Sequence, residues 1–406
     1  MRIMTHTICQ IITKLELGGA QQTTLFIVAH LARSRFRPVL ISGEPGLLDD
    51  EAKALGGVEF YQVPSLVRQI RPWRDLRALA ELTRLLKTLK PAIVHTHSSK
   101  AGILGRWAAW LAGVPIIIHT IHGYGISPTQ PAWLRWLLIG LERMTGLITT
   151  HWIAVSEADV VKGLGWGLFQ RSNVSVIRPG VDTQSFQFPP LPEPDRDRVR
   201  AEWGVGRQHL LVGTVAPFKP QKAPRDFVAV AVRVCTQVPA ARFVWVGDGE
   251  LRPAVEAAIR RAGLEDRIRL AGWRRDIPRV MRVLDLLLLT SHWEGLPQVL
   301  LQARASSLPA VATRVGGAAE AIVDGQHGWL CEPGGIDELA ARVIHLLTDS
   351  AERERMRRCG GYIPDEFESR FALEKRVKLY DTLLATAGLA ASADTGSTRS
   401  EQPVAR

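Results

Sequence analysis

The stretch Leu284–Val323, LDLLLLTSHWEGLPQVLLQARASSLPAVATRVGGAAEAIV, constrains the fold more than any other part of the chain. Its apolar run to Leu289 reads as a strand buried on both faces, which a parallel sheet covered by helices provides. Thr290-Ser291 ends that strand, and a loop carries His292, Trp293 and Glu294. Gly295-Leu296-Pro297 then opens a helix, with the proline where its missing N–H is harmless. A second short strand, Pro309–Ala312, ends at Gly316-Gly317, which opens onto a helix carrying Glu320. Strand ends that feed helix N-termini over glycine turns leave backbone N–H groups free, and the helix dipole favours negative charge there. An anionic ligand is expected, with the Glu294 carboxylate and the Gln302 amide placed to grip hydroxyl groups.

The rest of the chain repeats this grammar. Strands are expected at Thr7–Ile12, Pro38–Ser42, Val58–Val63, Ala92–His95, Pro115–Thr120, Trp152–Val155 and Val174–Ile177. A second series follows at Leu210–Val215, Phe243–Gly247, Arg267–Ala271 and His327–Cys331, with helical patterns between. Phe188–Asp197 is proline-rich and charged, a linker by composition. Two doubly wound Rossmann-like α/β domains facing a cleft are therefore expected, over residues 1–187 and 209–365 with a linker at 188–208. Phe371–Leu384 is amphipathic, and residues 387–406 are small and polar, which predicts disorder.

Several turns carry chemistry. Leu17-Gly18-Gly19-Ala20-Gln21 joins the first strand to a helix, as close backbone approach to a phosphate or sugar requires, although ordinary tight turns also use paired glycines. Lys219 and Lys222 follow the strand at 210–215 ahead of a helix, where point charges add to the helix dipole. His95 and His97 share one strand face, and His119 and His122 end the next strand, which invites a metal reading. No acidic residue lies between Glu81 and Glu142, so no metal site is expected. Asp195-Arg196-Asp197 sits among prolines and reads as linker.

The order of these pieces resembles the donor-site signature of retaining glycosyltransferases of family 4, which have the GT-B fold. That signature is Glu-x7-Glu in an EGLP-like context followed by G-G-x-x-E. Here Glu294 takes the first position, Gln302 replaces the second glutamate, and Gly316-Gly317-Ala318-Ala319-Glu320 follows. L-G-G-A-Q at 17–21 resembles the loop that faces the donor diphosphate, and H-T-I-H-G at 119–123 the motif whose histidine, His122, lies beside the donor sugar. Pro179-Gly180-Val181-Asp182 resembles the turn that closes the first domain. Lys222 matches the lysine of G-R-L-x-x-x-K-G, but Pro217 stands at the arginine, with Lys219 the nearest cation.

The resemblance covers residues 7 to 385. It implies metal-independent, configuration-retaining transfer from a nucleotide-diphosphate sugar to a glycan or lipid-linked acceptor, with no cofactor. It assigns catalytic roles to His122, Lys222 and Glu294. Donor contacts fall to Gly19, Lys219, Lys222, Gly247, Arg274, Glu294, Gly295, Leu296 and Gln302, the last holding the ribose. Gln21, Lys100 and Arg106 fall on the acceptor side, and a helix over 366–386 crosses back to the first domain. Two rivals use the same fold: a nucleotide-sugar 2-epimerase, and a non-catalytic nucleotide-sugar-binding scaffold at the membrane, which Pro217 and Gln302 leave open.

A net charge of +11 favours an anionic partner, and arginines scattered through both halves argue against a dedicated nucleic-acid arm. Leu66–Lys90 reads as a solvated basic helix or a surface resting on anionic lipid, and Pro131–Met144 as a core helix or one that dips into lipid. The longest uncharged stretch, Trp107–Leu134, is broken by three prolines and does not span a bilayer, and the N-terminal apolar run is too short for a signal peptide. A cytoplasmic protein is expected, in peripheral contact with the inner face of the membrane. Cys9, Cys235, Cys331 and Cys359 form no Cys-x-x-Cys pair and read as core or incidental thiols.

Overall fold

A computed structural model describes residues 5–127, 130–187 and 192–389. The first sheet comprises β1 (His6–Ile12), β2 (Phe36–Ser42), β3 (Glu59–Gln62), β4 (Ile93–His97), β5 (Ile116–Ile121), β6 (His151–Ala154) and β7 (Val174–Val176). Its order is β3-β2-β1-β4-β5-β6-β7, and the pairings are parallel. The second sheet comprises β8 (Leu210–Val215), β9 (Ala241–Val246), β10 (Ile268–Gly272), β11 (Leu286–Leu289), β12 (Ala310–Thr313) and β13 (Gly328–Cys331), in the order β10-β9-β8-β11-β12-β13. The order in which strands are added across the sheet reverses between β1 and β4 and again between β8 and β11. At such switch points loops diverge and leave a crevice at the strand ends.

The helices that position the site are α1 (Gly19–His30), α2 (Pro72–Leu89), α3 (Ser99–Leu111), α4 (Ala132–Gly146), α5 (Glu157–Gly165), α6 (Glu193–Ala201), α7 (Gln298–Ala305), α8 (Ala318–Ala321) and α9 (Ser369–Thr386). Alternation along β1 sends Ile8 into a core with Ile27 of α1 and Tyr380 of α9, while Cys9 and Ile11 meet α2 and α3 on the other face. The sheet is thus covered on both sides, as its apolar strands require. α9 lies against the first sheet after the chain has left the second, so it crosses back between the domains.

Two expectations change, and a third is reached only at its edge. The proline-rich linker is a helix beyond residues 188–191, which lie outside the described residues. Pro192 and Pro194 sit at its start, where proline is tolerated, and Arg196 and Arg200 bond Asp285 at 3.0 and 3.1 Å. Asp195 and Asp197 are therefore on α6. The core reading of α4 also fails: Trp133 is 69%, Trp136 66% and Leu137 59% exposed, because the helix seats only its Ile139 and Thr145 side. The expected disorder of residues 387–406 lies outside the described residues except at Ala387–Leu389, which close α9.

Candidate active site

The carboxyl ends of both sheets face one interdomain cleft of roughly 250 Å³. Where the walls meet, Gly123 and Gly295 touch backbone to backbone. A Cβ on Gly295 would lie 2.6 Å from Gly123 N, and one on Gly123, at φ +95°, 2.7 Å from Gly295 N. Only glycine allows this approach on both sides. Gly19, Gln21, His122, Lys219, Lys222, Gly247, Arg274, Glu294, Leu296 and Gln302 all line the cleft. Gly295 stands at its seam.

Lys100 and Arg106 do not join them. Lys100 Nζ bonds Asp75 Oδ2 at 2.5 Å and the Gln69 carbonyl at 3.1 Å, tying α3 to α2. Arg106 is fully buried, donating to Glu142 at 2.6 Å, the Gly102 carbonyl at 2.7 Å and Thr149 at 3.2 Å, with its guanidinium 4.7 Å over Trp152. It pins α3 to α4, and an acceptor cannot reach it. A buried guanidinium needs such partners to exist there at all.

On the second-domain wall the cleft cations are each held by carboxylates. Lys222 Nζ lies 2.5 Å from Glu294 Oε1, which also accepts from Ser291 Oγ at 2.6 Å, while Gln221 Nε2 donates to Glu294 Oε2 at 3.1 Å. Thr290 Oγ1 donates to the Lys222 and Ala223 carbonyls, so the end of β11 fixes the turn that carries the lysine. Lys219 reaches across the cleft to Glu16 at 2.7 Å. Burial pushes the Glu16 carboxyl up, but Lys219, with Lys14 and Arg68, outweighs it and holds it below its ordinary value. Arg274 bonds both oxygens of Asp276, at 2.8 and 2.7 Å, and Glu202 at 2.5 Å; the Asp276 bond leads in raising its pKa. Gly247 has φ +136°, and a Cβ there would meet the Ala216 carbonyl at 2.1 Å.

The opposite wall presents His122. Its Nε2 is 2.9 Å from His97 Nδ1, and His97 Nε2 is 2.7 Å from Gln10 Oε1. Gln10 Nε2 donates to Tyr380 Oη at 3.0 Å, and Tyr380 Oη meets His95 Nδ1 at 2.6 Å. His95 Nε2 bonds Thr120 Oγ1, also at 2.6 Å. All four ring nitrogens of His95 and His97 are thus engaged by protein groups. Burial pushes the His122 imidazole down to about 3, and the Arg376 charge adds to this; burial likewise keeps His95 and His97 well below their ordinary value. The three rings are neutral near pH 7.

Two motifs that are far apart in sequence meet across the domains. Glu320 Oε1 accepts the Glu157 and Ala158 N–H groups at the start of α5, at 2.9 and 3.4 Å. Its Oε2 accepts Arg178 Nε and Nη2 at 3.0 and 2.6 Å, and Arg178 Nη1 donates to Glu366 at 3.0 Å. Gln298 Nε2 donates to Thr23 Oγ1 at 3.0 Å beside the cleft. Sequence reading left Glu320 without a role and did not reach Gln10, Glu16, Gln298 or Tyr380, each of which has a partner distant along the chain.

Two doubly wound parallel domains, with cations and a carboxylate on one wall of the cleft and a neutral histidine on the other, form a cleft of the GT-B type. Residues 17–185 match the pattern of Glycosyltransferase Family 4, and residues 207–349 that of Glycosyl transferases group 1. A UDP-Gal:alpha-D-GlcNAc-diphosphoundecaprenol alpha-1,3-galactosyltransferase of Escherichia coli is 32% identical over 90% of this chain and 94% of its own. An N-acetyl-alpha-D-glucosaminyl L-malate synthase of Bacillus anthracis is 26% identical over 77% and 79%. The fold is also that of Anabaena HepE, solved with UDP and glucose: TM-score 0.78 over 93% of this chain and all of that one, at 21% identity. The chain belongs to glycosyltransferase family 4, and it is a glycosyltransferase.

Proposed function

We propose that the enzyme moves a sugar from a UDP-sugar to a lipid-diphosphate-linked glycan, with retention of anomeric configuration and without a metal. The observation that carries this is the Lys222–Glu294 pair at the end of β11, facing His122 across the cleft. The bond between the sugar C1 and the diphosphate breaks, and negative charge grows on the leaving phosphate. Lys222 and Lys219, which line the cleft, meet that charge, and the N–H groups that open the helix near Gly295 and Leu296 add to them in this reading. Released from Lys222, the Glu294 carboxylate accepts bonds from the sugar hydroxyls, while Gln302 takes the ribose and His122 touches the sugar from the other domain. The acceptor hydroxyl attacks C1 on the face the phosphate leaves, and the departing phosphate oxygen takes its proton. No side-chain base is then required.

The donor base is inferred from the galactosyltransferase relative, named for UDP-Gal, and from the UDP held by HepE. That relative's diphosphoundecaprenol acceptor supports a lipid-linked one here. In βαβ units helix N-termini lie at the carboxyl ends of the strands, so the starts of α2 and α4 stand at the cleft end of the first domain. They expose Ile70, Trp73, Leu76, Trp133, Trp136 and Leu137, with exposed Arg71 and Arg74 and half-buried Arg135 among them. Indole and leucine beside arginine suit an anionic lipid surface. Among the described residues no helix is long and apolar enough to cross a membrane, so contact is peripheral in this reading. The test is transfer from a UDP-sugar panel onto a lipid-diphosphate N-acetylglucosamine in anionic vesicles. Trp133→Ala/Trp136→Ala should lose vesicle binding and transfer to the lipid acceptor while keeping transfer to a short-chain soluble analogue. Unchanged vesicle binding would contradict the membrane assignment.

A further inference from the structure

We propose that Tyr380, Gln10 and His97 are positioning residues that hold His122 as a single tautomer, with its Nε2 hydrogen turned into the first domain and its Nδ1 lone pair left for a hydroxyl in the cleft. The proposal rests on the reading of His122 as a donor-sugar contact.

The hydrogen bonds themselves set the order. An amide oxygen only accepts, so with Gln10 Oε1 at 2.7 Å, His97 Nε2 must carry a hydrogen. A neutral imidazole has one hydrogen, which leaves His97 Nδ1 bare. The hydrogen on the 2.9 Å line between His97 Nδ1 and His122 Nε2 then belongs to His122. His122 is neutral too, so its Nδ1 is an acceptor. The order follows from the way the Gln10 amide faces, with Nε2 toward Tyr380 and Oε1 toward His97. Gln10 Nε2 donates to Tyr380 Oη at 3.0 Å, the tyrosine hydrogen goes to His95 Nδ1 at 2.6 Å, and His95 Nε2–H goes to Thr120 Oγ1. Gln10, His95, His97, Thr120 and Tyr380 are all buried, so water does not compete for these bonds. Arg376, one turn before Tyr380 on α9, adds a positive charge that opposes protonation of the rings.

Tyr380 lies on the helix that returns from the second domain, and Gln10 is 370 residues away in the middle of β1. The crossing helix therefore supplies the group that orders a ring on the cleft wall. A purely structural role would satisfy buried polar atoms without fixing the His122 tautomer, and the two roles differ in what they predict.

The experiment is ring ¹⁵N NMR on the full chain with labelled histidine, the His122 signals being assigned by their loss in His122→Ala. The wild type should show His122 with hydrogen on Nε2 and a bare Nδ1. Tyr380→Phe should give mixed His122 tautomers and lower kcat about tenfold, with the donor KM within about twofold. Gln10→Met, close in shape and without an acceptor, provides a second variant should Tyr380→Phe fold poorly; folding is followed by circular dichroism. An Nδ1–H tautomer in the wild type, or unchanged His122 signals in both folded variants, overturns the proposal. If His122→Ala keeps full activity while the variants shift the tautomer, the donor-contact reading fails and the ordering stands.

Discussion

Lys222 Nζ sits 2.5 Å from Glu294 Oε1, so the cation assigned to the diphosphate and the carboxylate assigned to the sugar hold one another. In the proposed reading a nucleotide sugar engages both at once: its phosphate takes the lysine, and its hydroxyls take the carboxylate so freed. The exchange couples diphosphate binding to sugar orientation, whereas either contact alone would break a charge pair without replacement.

Glu294→Gln separates the two effects. Lys222 loses its carboxylate competitor, so UDP should bind several-fold more tightly by calorimetry. The sugar loses its charged acceptor, so kcat should fall by about two orders of magnitude. Loss of UDP affinity together with kcat would place Glu294 on the nucleotide instead.

Lys219 replaces the family's arginine only if its charge reaches the diphosphate from its bridge to Glu16. Lys219→Met should weaken UDP binding about tenfold, partly because Glu16 is then left with less to neutralise it. Lys219→Met/Glu16→Gln should recover a good part of that loss. Strict additivity of the single changes in a calorimetric double-mutant cycle would show that the pair does not act on the nucleotide together.

Glu320 binds both the start of α5 and the Arg178 guanidinium, which makes it a tie between the domains. Replacing it with Gln keeps the shape but weakens four charge-assisted bonds. A more open average form should appear in small-angle scattering, and the donor KM should rise about fivefold, since closure assembles the cleft. Scattering identical to the wild type would mean that other contacts hold the domains.

Burial pushes the Asp159 carboxyl up to about 7, against a bond from Ser156 and the charge of Lys162 and with the help of Glu320. From about pH 4 to 7 the folded protein keeps a proton that the unfolded chain has lost. Stability from this group therefore falls as pH rises through that window and stays low above it. Asp159→Asn should raise Tm relative to the wild type at pH 8, by on the order of 2 kcal/mol of stability, and should lose that advantage near pH 4. A Tm difference that is constant with pH would contradict the assignment.

Much of this was legible in the sequence because its signals are local. Leu286–Leu289 is a strand buried on both faces, and the turns after β8, β9 and β11 place Lys222, Gly247 and Glu294 at the sheet ends where ligands bind. The misreadings come from partners that sequence does not show. Arg106 looks like a surface cation until Glu142, 36 residues on, meets it in the core. α4 has apolar residues on both sides, and its pattern alone cannot tell the side that packs from the side that stays exposed. Tyr380 reads as one more position on an amphipathic helix, although its hydroxyl lies two hydrogen-bonded residues from His122.

The most direct test of the central claim is the anomeric configuration of the transferred sugar in the first-formed product, read by NMR with a UDP-sugar donor and EDTA present. The account predicts transfer in EDTA and an α-linkage from an α-linked donor. A β-linkage, or transfer that appears only when a divalent metal is restored, would contradict it.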